Sequence, residues 1–219
     1  MKQLYLIPIL CCICTTLILS KHSHADVDIK GRTIISLGLN TAWHSGKIQV
    51  ANHSTKDKKL TPYTGLYVGL GYNIYFDFNI VNIFAGFDVR GNIPFENNDF
   101  FEKNHISAKV REMGVTHVKI GLKFDHPNMQ PYFIIGINVA KASYHINNIL
   151  EIKNMVGFGA STGFGVEWMF KTNIGVRAEY RHTINNFKFN TSDTTNTLDV
   201  KLQTNINTIS VGLVGFLEF

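Results

Sequence analysis

The stretch NTISVGLVGFLEF, residues 207–219, decides how the rest of the chain is read. Counting back from Phe219, alternate positions carry Leu217, Gly215, Leu213, Val211 and Ile209. Between them stand Glu218, Phe216, Val214, Gly212, Ser210 and Thr208. Successive side chains of a β-strand point to opposite faces, so this stretch reads as a strand with one apolar row. The row runs to Phe219 itself, where a water-soluble domain usually trails off in loosely held polar residues.

The same two-residue period recurs along the chain. Ile35, Leu37, Leu39, Thr41 and Trp43 share one face of TIISLGLNTAW, with Ser36, Gly38, Asn40 and Ala42 on the other. Leu66, Val68, Leu70, Tyr72 and Ile74 alternate with Gly65, Tyr67, Gly69, Gly71 and Asn73. Similar alternation runs through VNIFAGFDVR, VKIGLKF, YFIIGINVA, GFGASTGFGVEW and IGVRAEYRH, which makes eight expected strands with the C-terminal one. Each should be about ten residues long. The connections alternate too. Long polar stretches cover 44–64, 91–112, 145–155 and 183–203, and short links lie near 75–79, 125–130 and 171–173. An all-β, antiparallel up-and-down meander of eight strands, with one plain end and one decorated end, has this rhythm.

Alternation alone does not say which row faces inward. A soluble lipocalin-like barrel would bury the apolar row and show water the other one. That other row is mostly Gly, Ser, Asn and Ala, a poor solvated surface. Turned inside out, the same residues suit an eight-stranded barrel, whose interior is just wide enough for side chains to fill. The charged members of the inward set are mixed in sign: Asp88, Arg90, Lys119, Lys123, Glu167, Arg177, Glu179 and Arg181, with Glu218 at the C-terminal end. Buried singly, each would cost several kcal/mol, about the penalty for an unpaired ion, so an ion-pair network across the lumen is expected. The outward row then faces lipid, and closure satisfies every backbone donor and acceptor. Trp43, Tyr72, Phe124, Trp168, Tyr180 and Phe219 fall near strand ends, where aromatic girdles belong. The expected fold is an eight-stranded transmembrane β-barrel.

Composition agrees. Charged residues make up 17% of the 219, below the roughly 25% usual for soluble domains. Residues 1–25 follow the pattern of a secretory signal peptide: Lys2, an apolar run from Leu4 to Leu19, and small Ser23 and Ala25 before Asp26. The barrel domain is then 26–219. Cys11, Cys12 and Cys14 all lie in that leader, so no disulfide framework is expected in the mature chain. The formal net charge is +5, of which Lys2 and Lys21 in the leader supply two. The remainder is too small to indicate nucleic acid. The histidines show no metal-ligand spacing, and no cofactor is implied.

The terminal Phe219 behind alternating apolar residues resembles the C-terminal signature of Gram-negative outer-membrane barrels. GVRAEYRH before a long polar stretch resembles the penultimate strand of opacity-type and OmpA/OmpX-like proteins. PYFIIGINVA after a short turn is similar to the Pro-Tyr strand opening found there. The resemblance extends over 26–219, with Gly215 departing from the usual apolar run. It implies a bacterial outer-membrane location, with outer-membrane lipid around the barrel. It also implies recognition of Phe219 as an assembly signal by the barrel-assembly machinery, and frequent use of such proteins as adhesins or surface antigens.

The functional expectation is a surface protein that presents four extracellular loops to a host or extracellular-matrix protein. Lys56, Lys58 and Lys59 in the first long stretch, and Phe95, Phe100 and Phe101 in the second, are the candidate contacts. A mainly structural barrel or a narrow porin-like channel is the alternative. Enzymatic action on lipid is not expected. Ser143 with His145, and His182 with Thr183, lie near the outer rim, but nothing fixes a nucleophile, a base and an orienting acid in reach of one another. No catalytic residue is assigned.

Overall fold

The computed structural model describes residues 28–50, 53–59, 63–77, 82–95, 102–103, 106–124, 128–146, 150–171, 173–193 and 196–218. The leader expected at 1–25, together with Phe100, Phe101 and Phe219, lies outside them. Among the described residues ten strands occur in chain order: β1 (Asp28–Val50), β2 (His53–Lys59), β3 (Tyr63–Asp77), β4 (Asn82–Pro94), β5 (Glu102–Lys103), β6 (Ile106–Lys123), β7 (Met129–Ile146), β8 (Leu150–Lys171), β9 (Ile174–Asp193) and β10 (Asn196–Glu218). Eight of them, all but the short β2 and β5, form a barrel in which each strand pairs antiparallel with the next. The β1–β10 ladder, from Arg32↔Glu218 to Val50↔Val200, closes it.

The apolar row faces out. On β7, Phe133, Ile135 and Ile137 are 73%, 71% and 65% exposed, while their neighbours Tyr132, Ile134 and Asn138 are buried. On β1, Ile35, Leu37 and Leu39 are exposed while Ser36 and Asn40 are buried. Ordinary soluble packing is inverted, as lipid requires. A nine-residue row such as Ile35–Trp43 spans about 30 Å along the strand and, at a tilt near 40°, covers about the 25 Å height of a lipid-facing band.

The strands are longer than the expected ten residues, from 13 in β4 to 23 in β1 and β10. Much of the long polar stretches at 44–64, 91–112, 145–155 and 183–203 is therefore strand rather than loop. Apolar-out alternation stops there because the solvent changes. Beyond the Trp43 row the outward positions are Lys47 and Gln49 on β1, Asn186 and Lys188 on β9, and Lys201 and Gln203 on β10, all exposed. The inward ones include Phe187, Leu202 and Ile206, all buried. The pattern has reverted to apolar-in, polar-out, which suits water on the outside.

Among the described residues the wall also divides at this end. The β8–β9 ladder stops at Phe158↔Asn186 and the β4–β6 ladder at Gly91↔Gly114, although β6, β8 and β9 continue. Two ribbons result, β2–β1–β10–β9 and β5–β6–β7–β8. Val110, Ala142 and Met155 of the second are buried like Phe187 and Leu202 of the first. The Phe187 ring covers Gly157, where any Cβ would collide with it, so the ribbons meet through that contact.

Candidate functional site

Halfway down the lumen the inward side chains change from small to long and charged. Asp88 and Arg90 come from β4, Glu112 and Lys119 from β6, Glu167 from β8, and Arg177, Glu179 and Arg181 from β9. All are buried. Strand pairing shows why they fit. Arg90 stands opposite Gly69, Asp88 opposite Gly71, Lys119 opposite Gly86, Arg177 opposite Gly212, Glu179 opposite Gly165 and Arg181 opposite Gly163. A Cβ at Gly69 would stand 2.9 Å from Arg90 Cγ, while at Gly86, Gly165 and Gly212 it would meet Asn73, Tyr132 and Tyr67, so the glycines clear room for the packed lumen as a whole.

Six of the eight form one chain of contacts. Glu179 accepts a fork of two bonds from Arg90, each 2.7 Å. Arg90 also donates to Asp88 Oδ2 at 2.9 Å. The same oxygen accepts from Arg177 Nη1 at 2.6 Å. Arg177 donates onward to Glu167 Oε1 through Nη2 at 2.6 Å and Nε at 3.0 Å, and Lys119 Nζ reaches that oxygen at 3.3 Å. Tyr132 donates to Glu179 at 3.0 Å. Arg90 also lies 5.2 Å from the Tyr67 ring centroid, and Lys119 lies 5.4 Å from that of Tyr132. The chain runs from β9 through β4 to β8 and β6, across the barrel interior. On the side of Trp43, Arg181 forms a second unit by donating to both Glu112 oxygens, at 2.7 and 2.9 Å. Four cations and four anions are balanced.

Two differences from the sequence reading stand out. Lys123 is not in this cluster: it lies toward the short-link end with its Nζ 5.9 Å from the Tyr75 ring centroid. Glu112 belongs beside Arg181, but sequence reading places it in a polar connection. A bulge between Glu112 and Gly114 explains the miss. The extra residue, exposed Met113, shifts the parity of β6, so Glu112 faces inward together with Val115, His117 and Lys119. No two-residue alternation running up from Lys119 reaches Glu112.

The remaining candidates are scattered. Phe95, just past β4, is 56% exposed. Lys56, Lys58 and Lys59 lie on β2, which is hydrogen-bonded to the upper part of β1. His182 and Thr183 point to opposite sides of the wall. Asn207 Oδ1 binds His182 Nδ1 and accepts from Tyr180 Oη, both at 2.8 Å, outside the barrel, while Thr183 is buried within it.

Residues 12–214 match the outer membrane protein β-barrel domain family. The chain belongs to this family. It is a bacterial outer-membrane β-barrel protein. No curated protein sequence matches it. Solved structures similar to this barrel include Ail, the attachment invasion locus protein of Yersinia pestis, in complex with the heparin analogue sucrose octasulfate. The two share 16% identity over 86% of this chain and 99% of that one, with a TM-score of 0.43. The outer-membrane protein OprG of Pseudomonas aeruginosa is 11% identical over 87% and 97%, with a TM-score of 0.42. The outer-membrane protease OmpT of Escherichia coli is 9% identical over 90% and 99%, with a TM-score of 0.40.

Proposed function

We propose that this outer-membrane barrel is a surface-presentation protein, an adhesin or surface antigen, whose lumen is closed and whose exposed end carries the function. The observation behind this reading is the overshoot of the strands at one end only. β1, β9 and β10 continue well past the Trp43 row as a water-adapted sleeve, whereas the other end is closed by links as short as residues 172–173. Chain extended that far from the bilayer serves whatever lies outside the cell. The expected partner is a host or extracellular-matrix protein, met by the sleeve and its connections, with Lys56, Lys58, Lys59, Phe95, Phe100 and Phe101 as candidate contacts.

A narrow channel would have to cross three layers in series. Phe187, Leu202 and Met155 fill the sleeve end, the ion-paired chain fills the middle, and Ile34, Met169, Val214 and Phe216, with Tyr75, Phe84, Tyr132 and Ile134, fill the short-link end. The test is protease treatment and attachment on intact cells. Cuts are expected between β1 and β3, β4 and β6, β7 and β8, or β9 and β10, and deletion of those connections should abolish attachment to matrix-coated surfaces. Cuts confined to 78–81, 125–127 and 172–173 would reverse the orientation. Unchanged attachment after all four deletions would remove the adhesin role.

A further inference from the structure

We propose that Tyr67 is the clasp of the barrel's closing seam, the ring that holds the first strand to the last beside the ionic centre. The seam is the ladder between β1 and β10, which joins residues from opposite ends of the chain. Its pairing therefore carries the largest loop-closure cost of any ladder in the wall. Midway along it, on the inner face, Gly38 stands opposite Gly212. Two facing glycines have no side chains to pack across a strand pair, and glycine inside a strand weakens it. A weak row thus falls in the ladder that is hardest to close.

Tyr67 fills that row. It faces Gly38 across the β1–β3 ladder, on the side away from Gly212, and it is buried. Its ring lies over both glycines: a Cβ at Gly38 would stand 2.7 Å from Tyr67 Cε1, and one at Gly212 would collide with the hydroxyl. A side chain rooted on β3 therefore crosses β1 and ends on β10. The hydroxyl has no hydrogen-bond partner among the described residues. Contact of the ring, not a polar bond, makes the junction.

The ring is held in place in turn. Arg90 keeps its guanidinium 5.2 Å from the ring centroid, close enough for cation–π attraction, and its fork onto Glu179 of β9 fixes it there. From the opposite direction comes Arg177, the β9 ladder partner of Gly212. It donates to Ser36 of β1 at 3.4 Å and to Asp88 of β4 at 2.6 Å. Ring and guanidinium bridge the same seam in opposite directions, and both are tied to the ionic chain. Closure of the wall and assembly of that chain are then one event.

The experiment follows amide hydrogen exchange of the refolded full barrel in detergent micelles, ladder by ladder, in wild type, Tyr67→Phe and Tyr67→Leu. The reference is the β6–β7 ladder between 116–120 and 133–137, on the opposite side of the barrel. In Tyr67→Leu the amides bonded between 35–41 and 209–215 should exchange at least about tenfold faster, and the reference amides less than about twofold faster. Tyr67→Phe keeps the ring and should protect the seam as wild type does. Where Tyr67→Leu does not refold, Tyr67→Met, flexible enough to occupy the slot, gives the same comparison. Equal acceleration of seam and reference makes Tyr67 ordinary packing and overturns the clasp, as does a seam that stays fully protected without the ring. A seam as loose in Tyr67→Phe as in Tyr67→Leu overturns the assignment to the ring. None of these readouts depends on adhesion or on which end faces out of the cell.

Discussion

Every long charged side chain at the barrel waist needs both a counter-ion and a space, and the two come from different places. Seven of the eight have a small ladder partner, glycine for six of them and Ala140 for Glu112, while Glu167 stands between Gln130 and Arg177. Counter-ions come both from close by, Asp88 for Arg90 on one strand and Glu167 for Arg177 on its ladder partner, and from across the lumen, Glu179 for Arg90 and Glu112 for Arg181. Arg181 and Glu112 provide the cleanest test, since their side chains are only 2% and 1% exposed and the pair stands apart from the six-membered chain. Arg181→Met alone leaves a buried carboxylate without its partner and should cost about 3–5 kcal/mol, whereas Arg181→Met with Glu112→Leu should recover most of that loss. Urea titration read by gel mobility measures both. A single variant as stable as wild type would show that water, not Arg181, compensates Glu112. The glycines are equally constrained. A methyl at Gly165 would stand 2.5 Å from ring atoms of Tyr132, so Gly165→Val should lower stability by about 1–3 kcal/mol, the usual cost of overpacking.

At the level of elements, one strand works in two solvents. β10 presents Ile209, Val211 and Leu213 to lipid and then, after Asn207 and Asn205, Gln203 and Lys201 to water. Substitutions should therefore have position-dependent costs on the outer face. Ile135→Arg in the lipid-facing band of β7 should cost about 2–4 kcal/mol, while Asn205→Arg, outward on β10 beyond Trp43, should change stability by about 0.5 kcal/mol or less. Equal costs at the two positions in refolding titrations would refute the placement of the lipid boundary at the Trp43 row. The eight strands were legible from Ile35–Trp43, Leu66–Ile74 and Ile209–Leu217 because only one neighbour, lipid, selects that row. Their true length was not legible. Past Trp43 the apolar positions move to the inner face, as at Phe187 and Leu202, and an alternation that changes phase looks like no alternation.

Among the described residues the barrel interior holds two apolar layers, one on either side of an ionic centre of balanced charge. Breaking one layer leaves the other two, so conductance should be absent in planar bilayers for the wild type and also for Phe187→Ala. Steady openings in either would favour a channel. Phe187→Ala should instead loosen the contact between the two ribbons and speed proteolysis of the sleeve, because the ring lies over Gly157 on the facing ribbon. What the sequence by itself determined was the barrel. A two-residue period, an apolar row too exposed for water and an inner row too small for a soluble surface have one joint solution in lipid. The tertiary structure decided which charges meet and where the barrel leaves the membrane. Asp88 and Arg177 are far apart along the chain, and only barrel closure and ladder register bring them to 2.6 Å. A single bulge turned Glu112 toward Arg181, and such a shift of register leaves no trace in an alternation read one strand at a time.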